Sequence, residues 1–219
     1  MLSEILNIKK GLTAIIGSGG KTTLMYRLAD ELSQRGRVIV CTSTKIFMPD
    51  NIITLVNVSK KDLRFEKSNI LCVGEKCGNG KLTKPLLSFE ELNECADYVL
   101  CEADGSKGLP LKAHEGHEPV IPKEAVDVIQ ILGINGIGHK IKDVCHRPEI
   151  YAALAGCSVN DIVTPEIAAR VISAENLGNR LIINQAENNM NEAEKIAEYL
   201  NIPVCAGEIR KGELKCLHL

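Results

Sequence analysis

The stretch GLTAIIGSGGKTTLMYRLADELSQRG, residues 11–36, limits the fold more than any other part of the chain. LTAII (12–16) is a short apolar run with the composition of a buried strand, and it ends in glycines. TTLMYRLADELSQRG (22–36) then sets Leu24, Met25, Leu28 and Leu32 at the spacing of one helix face and stops at Gly36. Between them lie Gly17, Ser18, Gly19, Gly20, Lys21, Thr22 and Thr23, the makings of a phosphate-binding loop. Glycines let successive backbone N–H groups curl around phosphate oxygens without Cβ clashes, and a helix N-terminus adds its positive dipole end. Lys21 would reach the β- and γ-phosphates, and the Thr22 hydroxyl would coordinate Mg²⁺. The spacing departs from the common motif: two residues separate Gly17 from Gly20 where four are usual, and Ile15 stands at the standard glycine position. The alternative is a tight strand–helix turn followed by an exposed lysine. It leaves the ordered series of strand, glycines, Gly-Lys-Thr-Thr and helix unexplained.

The remaining chain repeats the alternation. VIVCTST (38–44), DYVLCEADG (97–105), AVDVIQILGI (125–134), RLIINQAE (180–187) and IPVCAGEI (202–209) read as strands. SFEELNECA (88–96) opens with Ser88 and has Glu91 three residues on, the sign of a capping box. RPEIYAALAG (147–156), the run from Thr164-Pro165 to Ile172, and MNEAEKIAEYLN (190–201) also read as helices. NILCVGEKCGNGKLT (69–83) predicts a β-hairpin turning at Gly78-Asn79-Gly80, an insertion or antiparallel edge at about 69–85. GSKGLPLKAHEGHEPVIP (105–122) holds too many breakers for regular structure. The expectation is an α/β fold: a P-loop NTPase-like, mostly parallel sheet with helices on both faces. Residues 1–219 are expected to form a single P-loop nucleotide-binding domain.

Composition narrows the functional classes. The formal net charge is −2, with no Trp and three Phe, so neither an attractive field nor stacking platforms favour nucleic acid. No stretch approaches the ~18 apolar residues of a membrane span. MLSEILNIKKG carries Glu4 and no long apolar core, so no secretory leader is expected. Nine cysteines, an odd number, include no Cys-x-x-Cys pair, and several sit in apolar runs as small hydrophobes. That predicts a reduced, cytoplasmic protein without a disulfide framework. HEGHE (114–118) has the wrong spacing for the His-Glu-x-x-His zinc motif, and Cys72 with Cys77 lacks a second pair.

In a parallel sheet ligands bind beyond the strand carboxyl ends, and three further polar clusters fall there. Glu102 and Asp104 follow the apolar YVLC and project from one strand face, as an acidic partner for Mg²⁺ or for an attacking water. Either can take the metal role. Thr42, Thr44 and Lys45 in CTSTK would face the phosphates, although an ordinary polar strand end reads the same way. INQAE (183–187) resembles the Asn-Lys-x-Asp base-reading motif of GTPases, with Gln185 and Glu187 in place of Lys and Asp. It points to a nucleotide base near Asn184 without establishing guanine. In the loop at 105–122, Lys107, Lys112 and His117 could touch a phosphate or an anionic substrate on loop closure.

The short-spaced loop resembles that of the Mur ligases and folylpolyglutamate synthetases, with Ser18 where that family usually has Thr. Glu102 sits where the Mur ligases place a metal-binding Glu. IIGSGGKTTL, CTSTKIFMP, HRPEIYA, INQAE and above all EADGSKGLPLKAHEGHEPVIP together resemble the YqeC family of selenium-dependent hydroxylase accessory proteins. Pro is common there at position 114, and Lys and Asp at positions 185 and 187. The resemblance implies a nucleotide-dependent accessory role in maturing selenium-dependent molybdenum hydroxylases, with such an enzyme or its maturation factors as partners. The expected function is a Mg²⁺-dependent ATPase or GTPase. A small-molecule ligase or kinase and a nucleotide-gated adaptor stay open as alternatives.

Overall fold

The computed structural model describes residues 1–218. In chain order the first elements are α1 Leu2–Ile5, β1 Gly11–Gly17, α2 Lys21–Leu32, β2 Val38–Thr42, β3 Lys45–Phe47, β4 Ile53–Leu55 and β5 Ile70–Val73. β6 Glu75–Lys76, β7 Lys81–Thr83, α3 Phe89–Cys95, β8 Tyr98–Glu102, β9 Leu111–Lys112 and β10 Ala125–Gly133 follow. The remainder is α4 Ile141–Val144, β11 Cys145–His146, α5 Pro148–Ala155, α6 Pro165–Glu175, β12 Arg180–Asn184, α7 Met190–Glu198, β13 Val204–Glu208 and β14 Glu213–His218. The fold is α/β, a large and mostly parallel sheet flanked by helices, as expected of a P-loop NTPase-like chain. By internal contacts the residues fall into two compact units.

The first unit comprises Met1–Ile15, Thr22–Asp104 and Val120–Val128. Its strands run in the order β4-β5-β2-β8-β1, every pair parallel. VIVCT and YVLCE are buried along their whole lengths, which is why they read as continuous apolar runs with no alternation. The register sets Glu102 beside Ile15 on one side and Thr42 on the other. The expected hairpin is narrower than 69–85. ILCV joins the parallel strands because its side chains are buried, and the chain turns away at Gly74. β6 and β7 pair antiparallel and, with β3, make a separate three-stranded sheet. The Ser88–Glu91 capping box forms: Glu91 N–H donates to Ser88 Oγ at 3.2 Å and Ser88 N–H to Glu91 Oε2 at 2.9 Å.

The second unit comprises Ile16–Lys21, Gly105–Pro119 and the chain from Ile129 onward. β10, β12 and β13 are parallel, and β14 closes the series antiparallel to β13. β14 is half-buried and has no strong alternation, which hid it in the sequence. Leu132, Ile183, Tyr151, Val171, Ile196 and Val204 belong to one buried cluster that joins these strands to α5, α6 and α7. Each such side chain contributes about 1.5–3 kcal/mol on full burial. α6 starts where Thr164 Oγ1 accepts the Ile167 N–H at 3.2 Å, with Pro165 in its first turn, and ends at Asn176 in the left-handed region.

Candidate functional site

In the second unit, Gly17 to Lys21 lead out of β1 and into α2. Gly17 has φ +91°, and a Cβ there would run into the Ile131 carbonyl, so no other residue fits without moving β10. Gly19 has φ +89°, and a Cβ would come 2.6 Å from the Gly133 nitrogen. Two of the glycines are thus required by close backbone approach. Ser18 is buried: its N–H donates to Ile131 O at 2.8 Å and its hydroxyl to Leu109 O. The Lys21 ammonium is also buried and donates to Gly17 O at 2.7 Å and Ser106 Oγ at 3.2 Å. The lysine curls back over its own loop, the position from which it can meet a phosphate.

Asn184, the last residue of β12, holds this loop. Its Nδ2 donates to Gly19 O at 2.7 Å, while its Oδ1 accepts the Ile209 N–H at 3.0 Å. Both ends of the amide are engaged, so the structure gives Asn184 a loop-positioning contact at the place where a base reader was expected.

The segment after Gly105 is pinned by charges. Lys112 is fully buried at its side chain and donates to Gly105 O at 2.5 Å and Glu118 Oε2 at 2.8 Å. Arg147 bridges Glu115 and Glu118, each at 3.1 Å. His114 donates its backbone N–H to Glu175 Oε1 at 2.7 Å, and its Nδ1 lies 3.0 Å from Glu175 Oε2 with both side chains buried. Lys107, with φ +51°, and His117 are exposed. Of the three residues expected to contact substrate, Lys112 is therefore held inside the protein and the other two face solvent. Burial, then the charges of Lys112, Arg147 and Lys107, hold the His146 imidazole below its ordinary value, against an opposing pull from Glu118.

In the first unit, Thr22 and Glu102 meet directly. Thr22 Oγ1 donates to Glu102 Oε2 at 2.7 Å. Glu102 ends β8 and is 6% exposed. Thr42 Oγ1 donates to its carbonyl at 2.7 Å, and Ser43 N–H at 3.2 Å. Thr42 Oγ1 also accepts the Thr44 N–H at 3.0 Å, and Thr83 Oγ1 donates to Thr44 O at 2.8 Å. Those hydroxyls brace the strand end, while Lys45 opens β3 and is exposed. Asp104 is wholly buried two residues past Glu102, and Thr23 lies in the first turn of α2. Burial, together with the nearby charges of Cys72, Glu102 and Asp50, raises the Tyr26 hydroxyl well above its ordinary range and keeps it a neutral phenol.

Thr22 and Glu102 supply the hard oxygen donors that a divalent cation such as Mg²⁺ takes. Among the described residues no group of three or more His, Cys, Asp or Glu could hold a metal ion. A cation at this pair would draw the rest of its shell from water and phosphate oxygens. Ser106, Leu109, Arg147, Glu175 and Ile209 went unmarked by sequence reasoning. Their roles rest on contacts between segments far apart in the chain, and no local pattern carries that information. Among the described residues no helix is long and apolar enough to cross a membrane.

A family model described as YqeC protein matches residues 13–149. Among curated proteins, the uncharacterised protein YqeC of Escherichia coli (strain K12) is 33% identical over 154 residues, covering 65% of this chain and 60% of that protein. The chain thus spans about 60% of the length of the curated relative it matches. No solved structure matches it.

Proposed function

The chain belongs to the YqeC family, and on that footing we propose that it binds a Mg²⁺–nucleoside triphosphate, ATP or GTP, through Gly17 to Thr23. The observation that carries the reading is the 2.7 Å hydrogen bond from Thr22 Oγ1 to Glu102 Oε2, at the first residues of a helix that follows Gly-Ser-Gly-Gly-Lys. A hydroxyl and a strand-end carboxylate in contact beside a glycine loop are the donor pair that phosphate-loop enzymes use for a cation.

Each residue has a defined task in this reading. Gly17, Gly19 and Gly20 shape the backbone so that its N–H groups point at phosphate oxygens. Lys21 exchanges the neutral acceptors Gly17 O and Ser106 Oγ for anionic ones, which make stronger charge-assisted hydrogen bonds. Thr22 and Glu102 would hold Mg²⁺, with Asp104 behind them. Mg²⁺ there would neutralise charge that builds up on the transferring phosphoryl group. Hydrolysis or phosphoryl transfer would serve the maturation of a selenium-dependent molybdenum hydroxylase in the cytoplasm, the role that family resemblance suggests.

Calorimetric titration with ATP and GTP, each with and without Mg²⁺, tests the reading and identifies the base. Binding that needs Lys21 and tightens with Mg²⁺ supports it. Equal affinity in a folded Lys21→Ala variant overturns it. Turnover without an acceptor then marks a hydrolase, and turnover only with a small acceptor marks a ligase or kinase. Tight binding without turnover marks an adaptor.

A further inference from the structure

Two cysteines of the second unit stand directly opposite each other. Cys205 on β13 and Cys216 on β14 are register partners in the antiparallel pair, and their Sγ atoms are 3.2 Å apart. Both are free thiols; Cys205 is buried and Cys216 half-buried on the last strand. Opposed positions on antiparallel strands hold their Cα atoms within the range a disulfide spans. A displacement of about 1 Å in the side chains would bring two sulfurs from this separation to the ~2.05 Å of a covalent bond. Chemically suited partners at this register are not required for packing, since any apolar pair would fill the same space.

The hairpin that carries them also carries the support of the phosphate loop. β13 runs from Cys205 through Gly207, whose carbonyl accepts the Ala186 N–H at 3.1 Å. The next turn presents the Ile209 N–H to Asn184 Oδ1 at 3.0 Å, and the other end of that amide holds Gly19 O at 2.7 Å. We propose that Cys205 and Cys216 are a reversible redox pair whose oxidation cross-links the β13–β14 hairpin and stiffens the Ile209–Asn184–Gly19 connection. The proposal does not depend on which nucleotide, if any, the loop binds.

The oxidant is a low-molecular-weight disulfide, and the exchange balances. The Cys216 thiolate, the more exposed of the two, attacks one sulfur of that disulfide and expels a small thiolate, which is protonated. The Cys205 thiolate then attacks Cys216 Sγ and expels the second small thiolate. Two protein sulfurs are oxidised, the external disulfide is reduced to two thiols, and the two cysteine protons end on those thiols. Burial, then the hydrogen bond and charge of Cys216, push the Cys205 thiol up to about 12, so the second step is slow near neutrality and quickens with pH.

The test needs only the purified wild-type protein and glutathione buffers of graded oxidised-to-reduced ratio, equilibrated for hours, quenched by alkylation and mapped by mass spectrometry. The expected result is joint loss of two alkylatable thiols and a cross-link between the peptides containing Cys205 and Cys216. It should reverse on reduction. Exchange of the Ile209 amide hydrogen should slow by about tenfold in the oxidised form, the scale expected when a short loop is covalently closed. In Cys205→Ser the cross-link should vanish and Cys216 should retain bound glutathione. Two persistently free thiols in fully oxidising buffer overturn the proposal, as does a cross-linked hairpin with unchanged Ile209 exchange. All of these readouts are taken without nucleotide, so they stand apart from failure of the nucleotide-binding reading.

Discussion

The hydroxyl of Thr22 and the carboxylate of Glu102 are 80 residues apart in the chain and 2.7 Å apart in space. The hydrogen bond uses the Thr22 proton, so the hydroxyl lone pairs and the second carboxylate oxygen remain as oxygen donors. Thr22→Ala or Glu102→Gln should cut Mg²⁺-dependent turnover by at least about tenfold, the effect of losing one charge-assisted contact to the reacting complex. Affinity for metal-free nucleotide should change little. Comparing nucleotide binding with and without Mg²⁺ checks this, and full Mg²⁺ dependence in both variants would remove the pair from the metal role.

Lys21→Ala should abolish triphosphate binding and leave the fold intact. The lost contacts go to a loop carbonyl and one hydroxyl, and Ala continues the first turn of α2 well. Circular dichroism checks the fold and calorimetry the binding.

Asn184→Ala separates a positioning role from base reading. It strips a partner from the Ile209 N–H and from Gly19 O. Stability should fall by about 1–3 kcal/mol, and ATP and GTP should weaken together. A change confined to one nucleotide would instead mark Asn184 as a base contact. Denaturant midpoints and paired titrations decide between them.

Gly19→Ala should lower the melting temperature, because Ala would have to hold φ +89° with its Cβ against the Gly133 backbone. The strain is of the order of 1–3 kcal/mol for the dihedral alone. A variant with unchanged melting temperature would mean that the loop relaxes freely.

His146 makes stability depend on pH. Its folded imidazole is depressed below the ordinary 6.5 by burial first and by Lys112, Arg147 and Lys107 next. As pH falls through that ordinary value, the unfolded chain takes up a proton that the folded one refuses, so stability drops. It levels off once the folded imidazole is protonated too. His146→Gln should flatten the slope of unfolding free energy against pH below about 6.5. An unaltered slope would assign the acid sensitivity to other groups.

Much of the fold was legible because strand and helix signals are local. Apolar runs such as VIVCT and YVLCE, the Ser88–Glu91 box and the Thr164-Pro165 start each act within a few residues, and each forms where its pattern lies. β14 escaped because an edge strand buries too little to impose alternation on its side chains. Lys112 shows the opposite limit. A lysine in a polar loop reads as solvent-facing, yet Glu118 and the Gly105 carbonyl give it the partners that allow full burial.

By itself the sequence determined the strand–glycine–helix order, the α/β class and the candidate pair of acidic residues, because these rest on periodicity and on the stereochemistry of glycine. The tertiary structure alone decided that Glu102 is the carboxylate that meets Thr22, that Asn184 serves the loop through Gly19, and that Cys205 faces Cys216. Those relations depend on strand register, and register is set by how distant apolar runs pack against each other, which no single segment encodes.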